Sequence, residues 1–407
     1  MMPLFVSGAF QSIYSLINAA VVSRVIGQNA TAVIGVCSGY LSMQGYLVCG
    51  MSAGFGFVLF RCLGEEGQPR FRRAFWGSLW LVGGIALLGG GLSLFSGSLV
   101  SAAAVSNTLR LEAERYLIFL LLGSGCLGLK ELLLYAVQGT GDTRFPALLS
   151  MAGVVSQTLL TLILIAGLGL GVWACALAIL LNNGGLSLCL LVHLLRHGKA
   201  DCRLLPPGEV GTPLWGELLR SGVAKAGMMA LVGVGVIAMQ RGVNRFSDAT
   251  VAAVTCAGTV NELAISVFSA YATASGILTG RSTGRGDWAD IRRINRTLLK
   301  GSLLWAAVFS LVYLFAAEWV LRLIVGAEAE SVLLQAGAMW LHGCCLGYPG
   351  LCVLLVCRSA LQSMGRNRAL PFLGVLEMLS NLVMAALIPW GGFWCVCLNQ
   401  ILKWSLP

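Results

Sequence analysis

The stretch Q-G-T-G-D-T-R-F-P, residues 138–146, returns 224 residues later as Q-S-M-G-R-N-R-A-L-P, residues 362–371. Earlier in each half, A-T-A-V-I-G-V-C-S-G from Ala30 returns as A-T-V-A-A-V-T-C-A-G from Ala249. The offset between matching stretches stays between 219 and 224 over more than 100 residues. Such a constant spacing indicates two copies of one structural unit.

The composition places both copies in a membrane. The chain is 57% hydrophobic and 11% charged, whereas a soluble domain carries about 25% charged residues. The net charge of +10 does not indicate a nucleic-acid partner, because basic residues also accumulate in the cytoplasmic loops of membrane proteins. The 14 cysteines show no metal-binding spacing, and we expect neither a metal nor an organic cofactor.

Twelve apolar runs follow one another along the chain, and a membrane span needs about 20 such residues. The runs cover 4–26, 31–60, 74–97, 113–138, 145–167, 170–195, 216–241, 250–280, 297–322, 331–362, 369–390 and a short stretch from 393. The sequence therefore predicts an all-α polytopic protein with about 12 transmembrane helices, of which helix 12 is truncated.

Loop charges predict the orientation. Sixteen Lys and Arg residues lie in the even-numbered loops and six in the odd-numbered loops. Because positive loops stay inside the cell, we expect a multi-pass protein of the inner (plasma) membrane with both termini in the cytoplasm.

The chain is predicted to contain two domains and a linker. The polar stretch L-R-H-G-K-A-D-C-R-L-L-P-P-G-E-V-G-T-P, residues 195–213, separates the copies. We predict an N-terminal six-helix bundle at 1–197, a cytoplasmic linker at 198–213 and a C-terminal six-helix bundle at 214–407. With an even number of helices per copy, the bundles are parallel and related by a pseudo-two-fold axis along the membrane normal, as in many transporters. We expect a monomer surrounded by lipid.

Five motifs in order resemble the multidrug and toxic compound extrusion (MATE) family, within the superfamily that includes lipid-linked sugar flippases. They are Q-S-I-Y-S-L-I-N-A-A-V-V-S-R-V-I-G from Gln11, Q-G-T-G-D-T-R-F-P from Gln138, G-L-G-L-G-V-W-A-C-A-L-A from Gly167, N-E-L-A-I-S-V-F-S-A-Y-A-T-A-S-G from Asn261 and C-R-S-A-L-Q-S-M-G from Cys357. The resemblance implies an antiporter that exports small organic cations, including drugs, by alternating access, coupled to inward H⁺ or Na⁺ movement.

The sequence departs from that family where acids are common. Many members have Asp at the position of Asn18. They often have Asn and Asp at the positions of Gln157 and Thr161, and Gln is common at the position of Asn183. These side chains can bind substrate or Na⁺ but cannot carry a proton at physiological pH. The alternative is that they form interhelical hydrogen bonds.

The second half keeps acids inside its apolar runs, where charge is costly and often functional. Glu262 is the candidate for cation binding and coupling; alternatively it pairs with Arg241 or Arg245. Glu377 is a second candidate, but we favour a structural ion pair with Arg358.

In the first half, Lys130 and Glu131 are adjacent and point about 100° apart on a helix. We therefore expect Lys130 to extend to the membrane interface and not to need Glu131 as a partner.

Three alternatives to the antiporter remain. One is a flippase for a lipid-linked or amphiphilic metabolite, which a cavity with several cations would favour. Another is a degenerate, non-transporting paralogue, suggested by the missing acids. The third, a membrane-embedded enzyme, is disfavoured because no motif joins the five Asp and three His residues of the chain into a catalytic site.

Overall fold

The computed structural model describes residue 10 and residues 28–65, 68–102, 107–196, 205–325 and 331–405, and this part contains helices and no strand. Its helices are α1 (Gln28–Gly64), α2 (Gln68–Ser93), α3 (Ser96–Ala102), α4 (Asn107–Leu122), α5 (Ser124–Gly139), α6 (Arg144–Leu162), α7 (Ala174–Arg196), α8 (Thr212–Val243), α9 (Asp248–Gly284), α10 (Trp288–Val325), α11 (Ser331–Ser363), α12 (Ala369–Gly391) and α13 (Phe393–Ser405). A π-helical turn, Ile163–Gly167, follows α6, and a 3₁₀ turn, Pro207–Glu209, precedes α8.

Within the described residues, ten stretches are long and apolar enough to cross a membrane. Helices α4 and α5 together form one of them, Arg110–Gly139. Helix α13 has 13 residues and is shorter than the roughly 20 that a span needs. The predicted fold class, an all-α polytopic membrane protein, is confirmed. The predicted span at 4–26 lies, apart from residue 10, outside the described residues.

The duplication is visible in the backbone turns. Gly141 and Gly365, 224 residues apart, end the turns after α5 and α11 with φ of 96° and 80°. Gly169 and Gly392, 223 residues apart, have φ of 64° and 57° before α7 and α13. Only glycine adopts these left-handed conformations readily. The two halves therefore have a glycine with positive φ at the same places in the repeat.

The turn after α5 is closed by the Asp142 side chain. Its Oδ1 accepts hydrogen bonds from the backbone N–H groups of Arg144 (3.0 Å) and Phe145 (3.2 Å), and its Oδ2 lies 3.0 Å from Nε2 of His193. Burial alone would raise the pKa of Asp142. The hydrogen bonds from Phe145, His193 and Arg144 outweigh that effect, so the pKa of Asp142 lies below its ordinary value. The Asp142 side chain thus satisfies the first backbone N–H groups of α6.

The described helices form two compact units that divide inside α8. The N-terminal unit runs from α1 to Ala226, and the C-terminal unit runs from Gly227 to Ser405. The first turns of α8 belong to the N-terminal unit because Glu217 pairs with Arg61 (2.8 Å) and the Ser221 hydroxyl donates to the Gly54 carbonyl (2.8 Å). The domain limits predicted from the sequence, 1–197, 198–213 and 214–407, stay a prediction.

Aromatic side chains hold the C-terminal unit together. The Tyr348 ring stacks on Trp404 at 6.0 Å and meets Phe268 edge-on at 5.3 Å. Its hydroxyl donates to Oδ1 of Asn261 (2.7 Å), so the buried polar end of the ring is satisfied. These contacts join α9, α11 and α13, the helices that carry most of the charges described next.

Candidate functional site

The most buried charges of the C-terminal unit lie between α11 and α12. Nη1 of Arg358 is 3.1 Å from Oε1 of Glu377, and their side chains are only 15% and 9% exposed. The distance is that of a hydrogen-bonded ion pair, which is what a buried carboxylate requires. The two predicted partners are therefore in contact, and their structural role stays a prediction.

A chain of amides extends from this pair to α13. Nδ2 of Asn381 donates to the Glu377 backbone carbonyl (2.9 Å), and Nδ2 of Asn399 donates to Oδ1 of Asn381 (2.9 Å). Oδ1 of Asn399 and Oε1 of the neighbouring Gln400 are buried and have no hydrogen-bond partner among the described residues. Two free amide oxygens thus lie on the helix that carries Lys403, where a cation or a donor group could use them.

Lys403 lies one turn beyond Asn399 and is within electrostatic range of two acids of the C-terminal unit. It interacts electrostatically with both Glu377 and Glu262, and its Nζ lies 4.8 Å from the centre of the Trp404 ring. Glu262, Arg358, Glu377 and Lys403 together form what we call the Lys403 cluster. When its two acids and two bases are all ionised, the net charge of the cluster is zero.

Glu262 differs from Glu377 in its surroundings. It lies in α9, about 21 Å along the helix from Asp248 and about 28 Å from Arg281, and is exposed. Among the described residues, Lys403 is the cation that interacts with Glu262. The sequence alternative that named Arg241 or Arg245 as the partner stays a prediction.

The polar group predicted in the N-terminal unit is only partly brought together. Asn18 lies outside the described residues. Thr161 is buried, and its hydroxyl donates to the Gln157 backbone carbonyl (2.9 Å) within α6. With its amide nitrogen towards α7, Gln157 donates to the Ala178 carbonyl (3.3 Å).

The asparagine of α7 that bonds to a side chain of α6 is Asn182, which the sequence reading did not select. Its Oδ1 accepts from the Ser156 hydroxyl at 2.5 Å. The predicted residue, Asn183, is buried one position further along α7. Neighbouring helix positions face directions about 100° apart, and a uniformly apolar helix gives no signal that distinguishes them.

One pair of opposite charges in the N-terminal unit lies on α5. Nζ of Lys130 is 2.9 Å from Oε1 of Glu131, and both side chains are 21% exposed. The expectation that Lys130 would extend to the interface without Glu131 was wrong. Long side chains can bridge adjacent helix positions, and an unpaired charge at this burial would be costly.

A polytopic helical protein with paired charges on its apolar helices has the features of a membrane transporter. The MatE family profile matches residues 3–179 and 226–387, and the chain belongs to this family.

Solved structures have the same fold. A MOP superfamily transporter from Pyrococcus furiosus is 18% identical with a TM-score of 0.85, over 100% of this chain and 91% of that one. An outward-facing multidrug resistance MATE family transporter of the MOP superfamily is 17% identical with a TM-score of 0.87, over 100% of this chain and 91% of that one. A mutant MATE transporter of Vibrio cholerae is 16% identical with a TM-score of 0.85, over 100% and 92%. No curated protein matches the chain.

Proposed function

We propose that this protein is a cation-coupled antiporter of the cytoplasmic membrane that exports organic cations, and that Glu262 is the carboxylate that substrate and coupling ion share. The observation that carries the proposal is the contrast between the two acids of the Lys403 cluster. Glu377 is buried against Arg358, whereas Glu262 is exposed and interacts with Lys403. An exposed carboxylate within a span can exchange its partner, and a buried, bonded one cannot do so without breaking the pair.

Lys403 gives this exchange a third participant. When Glu262 is ionised and free, Lys403 balances its charge. An organic cation bound at Glu262 takes over that role, and a proton bound at Glu262 removes the charge itself. In both cases Lys403 loses the attraction of Glu262 and keeps that of Glu377. The occupancy of Glu262 therefore changes the force between α13 and α9, which is how binding can favour one conformation over another.

The coupling ion is H⁺ or Na⁺. A proton needs only the Glu262 carboxylate. A sodium ion needs several oxygen ligands, and the buried Oδ1 of Asn399 and Oε1 of Gln400 are candidates on the same helix as Lys403. We propose no other cofactor, a monomer in the lipid bilayer, both termini in the cytoplasm and drugs or other xenobiotics as substrates.

A second candidate is a flippase for a lipid-linked or amphiphilic metabolite with negative charge. The Lys403 cluster and the Lys130–Glu131 pair together have three bases and three acids, and Lys225 on α8 adds a fourth base. For the Pyrococcus furiosus transporter, a binding pocket of reverse polarity was taken to suggest a different function. An anionic headgroup would be attracted to Lys403 and not to Glu262.

Transport by the purified protein in proteoliposomes distinguishes these functions. With an imposed pH or Na⁺ gradient, the wild type should export ethidium, and Glu262→Gln should not. Asp248→Asn, on the first turn of the same helix, should transport normally. Lys403→Gln should bind ethidium more tightly, because no internal cation competes for Glu262.

Each alternative has its own result. Full ethidium transport by Glu262→Gln would exclude Glu262 as the coupling site. Translocation of a fluorescent anionic lipid without ethidium transport would support the flippase. If the wild type moves neither substrate under either gradient, the degenerate paralogue is favoured.

A further inference from the structure

A cavity of about 340 Å³ lies between α10 and α11, and its lining includes no residue of the Lys403 cluster. Its volume is within the range of small-molecule sites, about 300–1,000 Å³. Side chains of both signs of charge and large apolar side chains line it together: Phe315, Glu318, Trp319, Arg322, Ala338 and His342.

The depth of the cavity in the membrane follows from α10. Between Lys300 and Glu318 this helix has seventeen uncharged residues, 301–317, which rise about 26 Å. The hydrocarbon core of a bilayer is about 30 Å thick. Lys300 and Glu318 therefore lie at opposite membrane interfaces. The cavity is at the interface opposite Lys300 and the other basic residues in the first turns of α10, at the level of lipid headgroups.

The cavity is on the side of α10 that lipid covers. Leu304, Leu311, Phe315 and Trp319 share one face of the helix, and all are exposed, Phe315 to 85% and Trp319 to 64%. Tryptophan is enriched at membrane interfaces, because its ring is apolar and its N–H is polar. Phe315 and Trp319 therefore connect the cavity to the acyl-chain region.

The polar groups of the cavity are unpaired among the described residues. Glu318 and Arg322 lie one turn apart and are exposed, and neither forms a hydrogen bond or ion pair with another described residue. Nε2 of His342 is buried and has no partner in that part of the chain. A carboxylate, a guanidinium and an imidazole nitrogen in one interfacial cavity match a ligand that has both a cationic and an anionic group.

We propose that this cavity binds the headgroup of a phospholipid with a primary amine. The ammonium group donates hydrogen bonds to the Glu318 carboxylate, and the phosphate accepts from Arg322 and from Nε2–H of His342. The acyl chains lie along Phe315 and Trp319. The lipid is thus held on the outside of the C-terminal unit, where α10 meets α11. This site is separate from the one proposed for the transported substrate.

Native mass spectrometry of the delipidated, full-length protein can measure this binding. Phosphatidylethanolamine should bind more tightly than its mono-, di- and trimethylated derivatives, because each methyl group removes a donor for Glu318. Phosphatidylglycerol, which has the phosphate but no amine, should bind more weakly. Glu318→Gln should lower the affinity for phosphatidylethanolamine about fivefold, the effect of losing roughly 1 kcal/mol at an exposed charge pair, and should abolish the dependence on methylation.

Two further variants test the phosphate contact and specificity. Arg322→Gln should lower the affinity for all the phospholipids by a similar factor. Arg241→Gln removes a charge near the end of α8, outside the cavity, and should bind them as the wild type does. Equal binding of phosphatidylethanolamine and phosphatidylglycerol by the wild type, or unchanged binding by Glu318→Gln and Arg322→Gln, would overturn the proposal. Competition between ethidium and phosphatidylethanolamine for the cavity would also overturn it, since it would make this a substrate entrance.

Discussion

Glu377 and Glu262 are both glutamates within apolar helices of one unit, yet their charges have different consequences for the protein. Glu377 is 6% exposed and depends on Arg358 as its counter-ion. Glu262 is exposed and forms no ion pair with a described residue within 4.0 Å. We therefore expect Glu377 to matter for folding and Glu262 for transport.

Arg358→Met should lower the free energy of unfolding in detergent by about 3–5 kcal/mol, because it removes the guanidinium that forms an ion pair with the buried Glu377 carboxylate. The double variant Arg358→Met/Glu377→Met should recover most of that loss, since both charges of the ion pair are removed together. Glu262→Gln serves as the control and should change stability by less than about 1 kcal/mol. A single variant as stable as the wild type would show that Glu377 finds another partner.

Some of these side-chain contacts could be predicted from the sequence, and others could not. Arg358 and Glu377 can be paired from sequence because charges in apolar helices are rare and these two flank one short turn. The role of Lys403 could not be predicted, because its partners are far away in sequence. Asn182 was missed because Asn183 is its neighbour and hydrophobicity does not show which of the two faces α6.

At the scale of helices, close packing depends on glycine at a few positions. A Cβ atom at Gly54 of α1 would lie 2.5 Å from the Ser221 carbonyl oxygen and 2.6 Å from the Gly222 Cα of α8. Small residues allow membrane helices to approach at this distance, and here the Ser221 hydroxyl also bonds to the Gly54 carbonyl. This contact helps to attach the first half of α8 to the N-terminal unit.

Gly54→Ala should destabilise the protein by roughly 1–3 kcal/mol, because the added methyl group overlaps backbone atoms that cannot rotate away. Gly45→Ala is a matched control in the same helix, since a Cβ there would have no atom within 4 Å. It should leave stability unchanged or raise it slightly, because alanine favours the helix. Thermal unfolding of both variants in the same detergent measures the difference. Equal melting temperatures would contradict the proposed contact.

At the scale of the whole molecule, the all-helical class could be predicted from composition, and the helix-ending turns from the repeated glycines. The break between α4 and α5 at Gly123 could not be predicted, because the apolar run continues through it. Gly123 itself keeps a helical φ and ψ of −69° and −10°. The π-helical turn at Ile163–Gly167 could not be predicted from the sequence either, because the segment is uniformly apolar. Hydrophobicity thus predicts which segments span the membrane, and side-chain packing determines where they bend.

The predicted orientation can be tested with introduced cysteines. Gly208 precedes α8 and Asn244 follows it, and both are exposed. The loop charges place Gly208 in the cytoplasm and Asn244 outside. A membrane-impermeant maleimide should therefore label Asn244→Cys in intact cells and Gly208→Cys only in inside-out vesicles, with the unsubstituted protein as background. The reverse pattern would show that both termini face outwards.

The Lys130–Glu131 pair also has a consequence for biosynthesis. A lone charge near the middle of a nascent span costs about 2.5–3.5 kcal/mol at insertion, whereas two bonded opposite charges enter the bilayer as a neutral dipole. Replacing either residue alone would therefore hinder the transfer of α5 from the translocon into the bilayer. This step comes before any substrate can bind. Variants of this pair would first be depleted from the membrane, and their loss of transport would reflect failed integration.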